Sequence, residues 1–172
     1  MYTTVLQEPR PLERRDDRSR FQSGNAEIDD WFHRFAWQNH RAGNARVFVT
    51  KQEPETLGFY ALSMGAVQRS TLPDALKPSQ RPDPCPVLLL ARLAVDQRAQ
   101  GRGIGAALLK DALLRAYKLS NEVGFAALLA HCANDQAREF YLSKSSHFVP
   151  CPGAENHLML PLRAMREFID AL

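Results

Sequence analysis

The chain reads as a mixed α/β protein built on one twisted sheet, and three features of the sequence say so. Apolar runs of strand length, Ala45 to Thr50, Gly58 to Val67, Val87 to Val95 and Val123 to Ala130, alternate with helical periodicity or turn chemistry. The third run leads into a glycine-rich turn, Gln100-Gly-Arg-Gly-Ile-Gly105, which opens a helix leading to the fourth, a strand-helix-strand crossover. At 172 residues, with 45% hydrophobic and 24% charged, the chain suits a single domain, 1–172, that buries its core without staples.

The elements follow in order. Asn25 caps a helix in which Ile28, Trp31, Phe32 and Phe35 recur at i, i+3, i+4 and i+7, with Asp29 and Asp30 in the first turn, and this face is expected to pack on the sheet. The strands Ala45 to Thr50 and Gly58 to Val67 are separated by Lys51 to Leu57, read as a hairpin connection. Five of the eleven prolines fall between Pro73 and Pro86, which makes Thr71 to Pro86 a surface loop between two strands. Val87 to Val95 is almost continuously apolar, as for a strand covered on both faces. The helix after the glycine turn places Ile104, Leu108, Leu109, Ala112 and Ala116 on one side. Asn134 caps a helix holding Ala137, Phe140 and Tyr141, and His157 to Leu162 reads as the last strand before a short terminal helix.

Composition excludes several classes of protein. The longest apolar runs, Val87 to Val95 and Val123 to Cys132, are strand-sized, and the N-terminal charges have no apolar stretch behind them, so no membrane span is expected and the location expected is cytoplasmic. Cys85, Cys132 and Cys151 are odd in number and lack C-x-x-C spacing, which speaks against a disulfide framework and against a metal site. A net charge of +3 does not announce a nucleic-acid binder, and the arginine-rich start from Arg10 to Arg20 is diluted by Glu13, Asp16 and Asp17. A phosphate-binding face would need the fold to gather Arg10, Arg14, Arg15, Arg41, Arg46 and Lys51 on one side.

The glycine turn carries the cofactor chemistry. A helix start leaves backbone N–H groups without partners and carries partial positive charge, and a first turn stripped of side chains lets a diphosphate reach them. Gln100 and Arg102 are placed to add donors at the rim. Two cofactor classes fit these residues. Read as Gly101-x-Gly103-x-x-Ala106, with Glu122 at ribose-binding distance, the turn matches a dinucleotide fingerprint. Against this, Asp96 to Ala99 intervene between strand and turn, and only 66 residues follow Ala106.

Taken together, Ala91-Arg-Leu-Ala-Val-Asp96, Gln100-Gly-Arg-Gly-Ile-Gly105 and Asn134-Asp-Gln-Ala-Arg-Glu-Phe-Tyr141 resemble the central motifs of the GNAT N-acetyltransferase family, over roughly residues 20 to 162. The resemblance implies a mixed sheet splayed into a V with helices on both faces, and acetyl-CoA as co-substrate. It implies that main-chain groups of Leu93, Ala94 and Val95 hold the acetyl and pantetheine. Gln100, Gly101, Arg102, Gly103, Ile104, Gly105 and Ala106 would hold the pyrophosphate, Asn134 the pantetheine arm, and Tyr141 would act as general acid. One departure stands out: the family's Phe-Tyr-x-x-x-Gly-Phe reads Phe140-Tyr-Leu-Ser-Lys-Ser-Ser-His-Phe148 here, so a longer or differently bent turn is expected beyond Ser143.

The N-terminal half, Phe21-Gln-Ser-Gly-Asn-Ala-Glu-Ile-Asp-Asp-Trp-Phe32 with Ala36 and Arg46-Val-Phe-Val49, is similar to the acetyltransferase toxins of bacterial toxin–antitoxin modules. That similarity implies acetyl transfer to the α-amino group of aminoacyl-tRNA, which blocks peptide-bond formation and stalls translation. It also implies a ribbon-helix-helix antitoxin that binds operator DNA, and a homodimer. Arg92 and Arg46 are the candidate substrate contacts; Arg92 interrupts an apolar strand, so it either orients the acceptor or pairs with a carboxylate. Other acceptors keeping the same cofactor are a small amine or a protein N-terminus. The non-enzymatic alternative is an acyl-CoA-binding regulatory module, against which Tyr141 argues. Glu139 is expected on solvated surface, and His131 beside Cys132 forms no dyad, because neighbours in extended chain face opposite ways.

Overall fold

The computed structural model describes residues 4–77 and 81–170. Its elements are β1 (Arg10–Pro11), α1 (Ala26–Arg34), α2 (Ala36–Ala42), β2 (Arg46–Gln52), β3 (Glu55–Val67), β4 (Cys85–Val95), α3 (Ile104–Leu119), β5 (Ala127–His131), α4 (Asp135–Lys144), β6 (Val149–Cys151), β7 (Ala154–Pro161) and α5 (Leu162–Asp170). The seven strands form one mixed sheet in the order β1-β2-β3-β4-β5-β7-β6. β4 and β5 pair in parallel, from Leu88 opposite Leu128 to Leu90 opposite Ala130, with α3 as their crossover. β7 pairs antiparallel with β5, and this ends the dinucleotide reading, which requires a doubly wound parallel sheet. Contacts divide the chain into two compact units, Met1–Leu62 with Arg92–Asp111 and Ser63–Ala91 with Ala112–Leu172.

In the first unit, Asn25 caps α1 as expected, its side chain accepting from Ile28 N–H at 3.1 Å. Phe21, Phe32, Ala36, Val47, Val49, Phe59 and Ala61 make the core, with Ile28 and Trp31 packed against it. The expected fourth core residue of the helix, Phe35, is instead 39% exposed. The helix breaks there: Phe35 leaves helical geometry, with φ −120° and ψ −17°, and α2 starts at the next residue. The hairpin is tighter than the sequence suggests. Register extends to Gln52 opposite Glu55, absorbing an irregularity between Thr50 and Lys51, so only Glu53 and Pro54 turn the chain. The basic face does not assemble from all its candidate residues. Arg10 and Lys51 both converge on buried Asp16, and Arg15 pairs with Glu13.

In the second unit, Leu72, Leu76, Cys85, Val87, Ala127, Leu129 and Met159 form the core. The proline-rich connection is therefore more than a surface loop. Two one-turn 3₁₀ helices, Arg69–Thr71 and Asp74–Leu76, sink Leu72 and Leu76 to 0% and 2% exposure. Strand β4 begins at Cys85, so Pro86 belongs to the strand rather than the loop; Pro78 lies outside the described residues. Coverage of β4 on both faces is incomplete: Val87, Leu88, Leu90 and Ala94 are buried, but Leu89, Ala91, Arg92, Leu93 and Val95 are only half-buried. β5 begins at Ala127 rather than Val123, which is 43% exposed. The expected apolar face of α3 is realised, Ile104, Leu108 and Leu109 of the first unit and Ala112 and Ala116 of the second all being buried. The short β1 and β6 carry no sequence signal of their own, being two and three residues long.

Candidate active site

The end of β4 is anchored before the turn begins. Asp96 N–H donates to Leu57 O at 2.8 Å, and the Asp96 carboxylate, 1% exposed, accepts from Arg98 N–H at 2.8 Å and Gln22 N–H at 3.0 Å. Burial pushes this carboxyl up, but the Arg98 guanidinium and the two backbone donors outweigh it and hold it below the usual carboxylate range. Gly101 and Gly103 then adopt φ +81° and +79°, left-handed conformations that L side chains rarely take. A Cβ built on either would meet nothing within 4 Å, so the space in front of the turn is open. The helical ladder of α3 starts with Ala107 N–H donating to Gly103 O at 3.1 Å. The N–H groups before it belong to the unpaired start of a helix, the feature that receives anionic oxygens.

The rim differs from expectation in one respect. Gln100 spends both donors of its side-chain amide internally, on Ser23 O and Val95 O, each at 3.0 Å. It braces the turn against the segment preceding α1 and does not serve as a rim donor. Arg102 is exposed and gives one bond, 3.2 Å, to Gln52 Oε1. The sequence reading missed this brace, formed by Gln22, Ser23, Asp96 and Gln100; the only sequence signal was an acid immediately after the strand.

Leu93 and Val95 are half-buried and Ala94 is 7% exposed, packed into the first unit's core. Arg92 makes no carboxylate pair among the described residues. Its Cζ lies 4.1 Å from the centroid of the Trp31 ring, which closes the second of the two roles weighed for it. Arg46 is exposed at the start of β2 and donates to His40 O at 2.8 Å.

Asn134 and Tyr141 share the other unit. Asn134 Oδ1 caps α4, accepting from Ala137 N–H at 2.8 Å, and the side chain is exposed. Tyr141 is 3% exposed, flanked by Phe140 and Phe148 at 5.3 and 5.5 Å between ring centroids. Burial, with a smaller contribution from the Cys132 thiol, raises its pKa, so the phenol stays protonated and remains a proton donor. The absent glycine is not needed: α4 ends at Ser145 with φ −155°, extended backbone, and His147 N–H donates to Ser145 Oγ at 3.0 Å. Glu139 is exposed. His131 and Cys132 part as expected, one exposed and one buried, with His131 edge-to-face on His157 at 4.8 Å.

Residues 43–144 match the family described as the acetyltransferase (GNAT) domain. The chain belongs to the GNAT acetyltransferase family. Within it, the chain is 40% identical over 161 residues to the tRNA-acetylating toxin of Mycobacterium tuberculosis (strain ATCC 25618 / H37Rv), covering 94% of this chain and 95% of that one. Its fold is similar to AtaT complexed with acetyl-methionyl-tRNAfMet, with TM-score 0.85, 27% identity and coverage of 95% and 98%. It is also similar to a tyrosine-to-phenylalanine AtaT mutant toxin bound to the C-terminus of the antitoxin AtaR and acetyl-CoA, with TM-score 0.79, 25% identity and coverage of 96% and 99%. Among the described residues of this GNAT chain, no helix is long and apolar enough to cross a membrane.

Proposed function

We propose that this GNAT chain transfers the acetyl group of acetyl-CoA to the α-amino group of aminoacyl-tRNA and acts as the toxin of a toxin–antitoxin module. The observation that carries the cofactor is the open turn at Gly101 and Gly103 in front of α3, a cradle that side chains would fill. The acceptor rests on the 40% identity with the tRNA-acetylating toxin along nearly the whole chain.

Acetyl-CoA supplies an acyl group activated as a thioester. The chain's own groups do the rest. Backbone N–H groups from Gly101 to Ala106 receive the pyrophosphate oxygens at the positive end of α3, and Arg102 adds charge beside them. Main-chain groups of Leu93, Ala94 and Val95 hold the pantetheine and acetyl, a backbone N–H there stabilising negative charge on the acyl oxygen. The side-chain amide of Asn134 donates to the pantetheine arm. As the amine nitrogen bonds to the acyl carbon and the C–S bond breaks, Tyr141 gives its phenolic proton to the departing sulfur, and the proton shed by the nitrogen returns through water to the Tyr141 oxygen. A side-chain base is unnecessary, because an α-amino group titrates near pH 8 and an esterified one lower, leaving the amine largely neutral in the cell. The product amide has no nucleophilic amine, so the charged tRNA cannot accept a peptide and translation stops.

In this reading residues 1–172 act as one catalytic domain in the cytoplasm, as a homodimer. A ribbon-helix-helix antitoxin blocks the toxin, and the complex binds operator DNA. The test is transfer of radiolabelled acetyl from acetyl-CoA to a bulk charged tRNA pool, with deacylated tRNA as control. Label on charged tRNA alone is the expected result; its absence with acetyl-CoA binding intact redirects the acceptor to a small amine or a protein N-terminus.

A further inference from the structure

Arg92 sits at the end of a column of aromatic rings. Phe32 and Phe59, both 0% exposed, stack with centroids 4.0 Å apart and 5° between planes. Trp31 stacks on Phe59 at 6.1 Å and 17°, and the Arg92 guanidinium lies over Trp31 at 4.1 Å. The column is rooted in the first unit's core, so the cation rests on a platform whose rotamers are fixed by packing. Arg92 immediately precedes Leu93, and alternation along β4 puts its side chain on the face it shares with Ala94, toward that core, opposite Leu93.

The guanidinium is unusual for what it lacks. It is half-buried and carries five N–H donors, yet none of the described residues takes a hydrogen bond from it and none pairs with it as a carboxylate. Glu27 of α1 contributes only through its field, and burial lowers the Arg92 pKa without removing the charge. Holding a partly desolvated cation without an anion costs stability, which is offset where a ligand supplies the anion. A planar fork on an aromatic face matches a phosphate, whose oxygens accept two parallel N–H bonds.

We infer that Arg92, held on Trp31, grips a backbone phosphate of the acceptor RNA's 3′-terminal nucleotides, and thereby selects aminoacyl-tRNA over free amines and protein N-termini. This rests on the acceptor proposed above and adds the contact that chooses it. Arg92 is a binding residue with no part in proton transfer.

The experiment measures kcat and both KM values for wild type, Arg92→Ala, Arg92→Lys, Trp31→Phe and Trp31→Ala. It also measures competitive inhibition by the 5′-phosphorylated trinucleotide pCpCpA and by adenosine. Arg92→Ala is expected to raise KM for charged tRNA about ten-fold or more, with KM for acetyl-CoA within about two-fold. Inhibition by the trinucleotide weakens by the same factor while that by adenosine is unchanged. Arg92→Lys falls between, since it keeps charge without the fork; it also covers the case of a poorly folded alanine variant. Trp31→Ala repeats the KM rise, and Trp31→Phe, which keeps a smaller aromatic face, raises KM for charged tRNA by less. The inference is overturned by an unchanged KM for charged tRNA, by equal rises in both KM values, by equal weakening of both inhibitors, or by a trinucleotide that fails to inhibit wild type. Labelling of charged tRNA by the wild type is read separately, so failure of the acceptor and failure of the Arg92 contact are distinguishable.

Discussion

Lys51 Nζ lies 3.0 Å from Asp16 Oδ1 in the interior of the first unit, both side chains at 6% exposure or less. Arg10 closes on the same carboxylate with two bonds of 2.8 Å, and Glu13 N–H adds another at 2.8 Å. This cluster fastens the N-terminal segment to β2, and it takes Arg10 and Lys51 out of the candidate phosphate-binding face.

Asp16→Ala removes the buried carboxylate shared by Arg10 and Lys51 and leaves Lys51 only the half-exposed Glu53, 3.2 Å from its Nζ; it is expected to lower unfolding free energy by about 2–4 kcal/mol, measured by urea denaturation. Although burial pushes the Asp16 carboxyl up, its bonds to Arg10, Glu13 N–H and Lys51 prevail and hold it well below its unfolded value of 3.8. Its contribution is therefore fully present above about pH 4 and is lost as pH falls toward the folded value. Asp16→Asn should flatten that part of the acid-stability curve; an unchanged acid limb would show that the carboxylate is not the titrating group.

Gly103→Arg should abolish acetyl-CoA binding in calorimetry and leave the circular dichroism spectrum native. The side chain enters open space, so the fold bears the change at the cost of backbone strain at this positive φ, and the ligand does not because that space is the cradle. Gly103→Ala separates the two effects: the positive φ costs on the order of 1–2 kcal/mol of stability, with a smaller loss of affinity. Retention of full affinity by the arginine variant would remove the turn from the cofactor site.

Tyr141→Phe should lower kcat by about 10²-fold or more with acetyl-CoA affinity unchanged. The raised pKa keeps the wild-type phenol protonated through neutral and mildly alkaline pH. The wild-type kcat should then show no decline near pH 8–9 that disappears in Tyr141→Phe. Such a decline, or full activity in the variant, would take the proton-donor role away from this residue.

The three thiols should be inert in the native protein. Burial pushes Cys132 and Cys151 up to about 11, and raises Cys85. At pH 8 nearly all of each is the unreactive thiol. A thiol-exchange colour assay should register no rapid reaction before denaturation and three equivalents after it. A fast native phase would mean that one of the cysteines is accessible as thiolate.

Much of the fold was legible because its signals are local. Helix caps at Asn25 and Asn134 act over three residues, and both are present as read. The apolar face of α3 follows from helical spacing, and every residue assigned to it is buried. Phe35 shows where such reasoning fails. Its spacing fits the core face of α1, but periodicity carries no information about a break in the axis. β6 failed for another reason, since three residues carry too little pattern to rise above a turn.

The positions that need glycine, and the strand, turn and helix around them, were determined by the sequence itself, since backbone geometry at Gly101 and Gly103 depends on residues a few places away. Tertiary structure decided how the polar side chains are used. Gln100 reads as a donor at the rim until Ser23, 77 positions earlier, takes its amide, and Asp96 gains its function as a brace only when Gln22, 74 positions away, arrives beside it. Arg92 likewise became a cation on a ring rather than half of an ion pair only when α1 brought Trp31 to β4. Hydrogen bonds and stacking are contacts of a few ångströms that are indifferent to sequence separation, so their partners are chosen by packing.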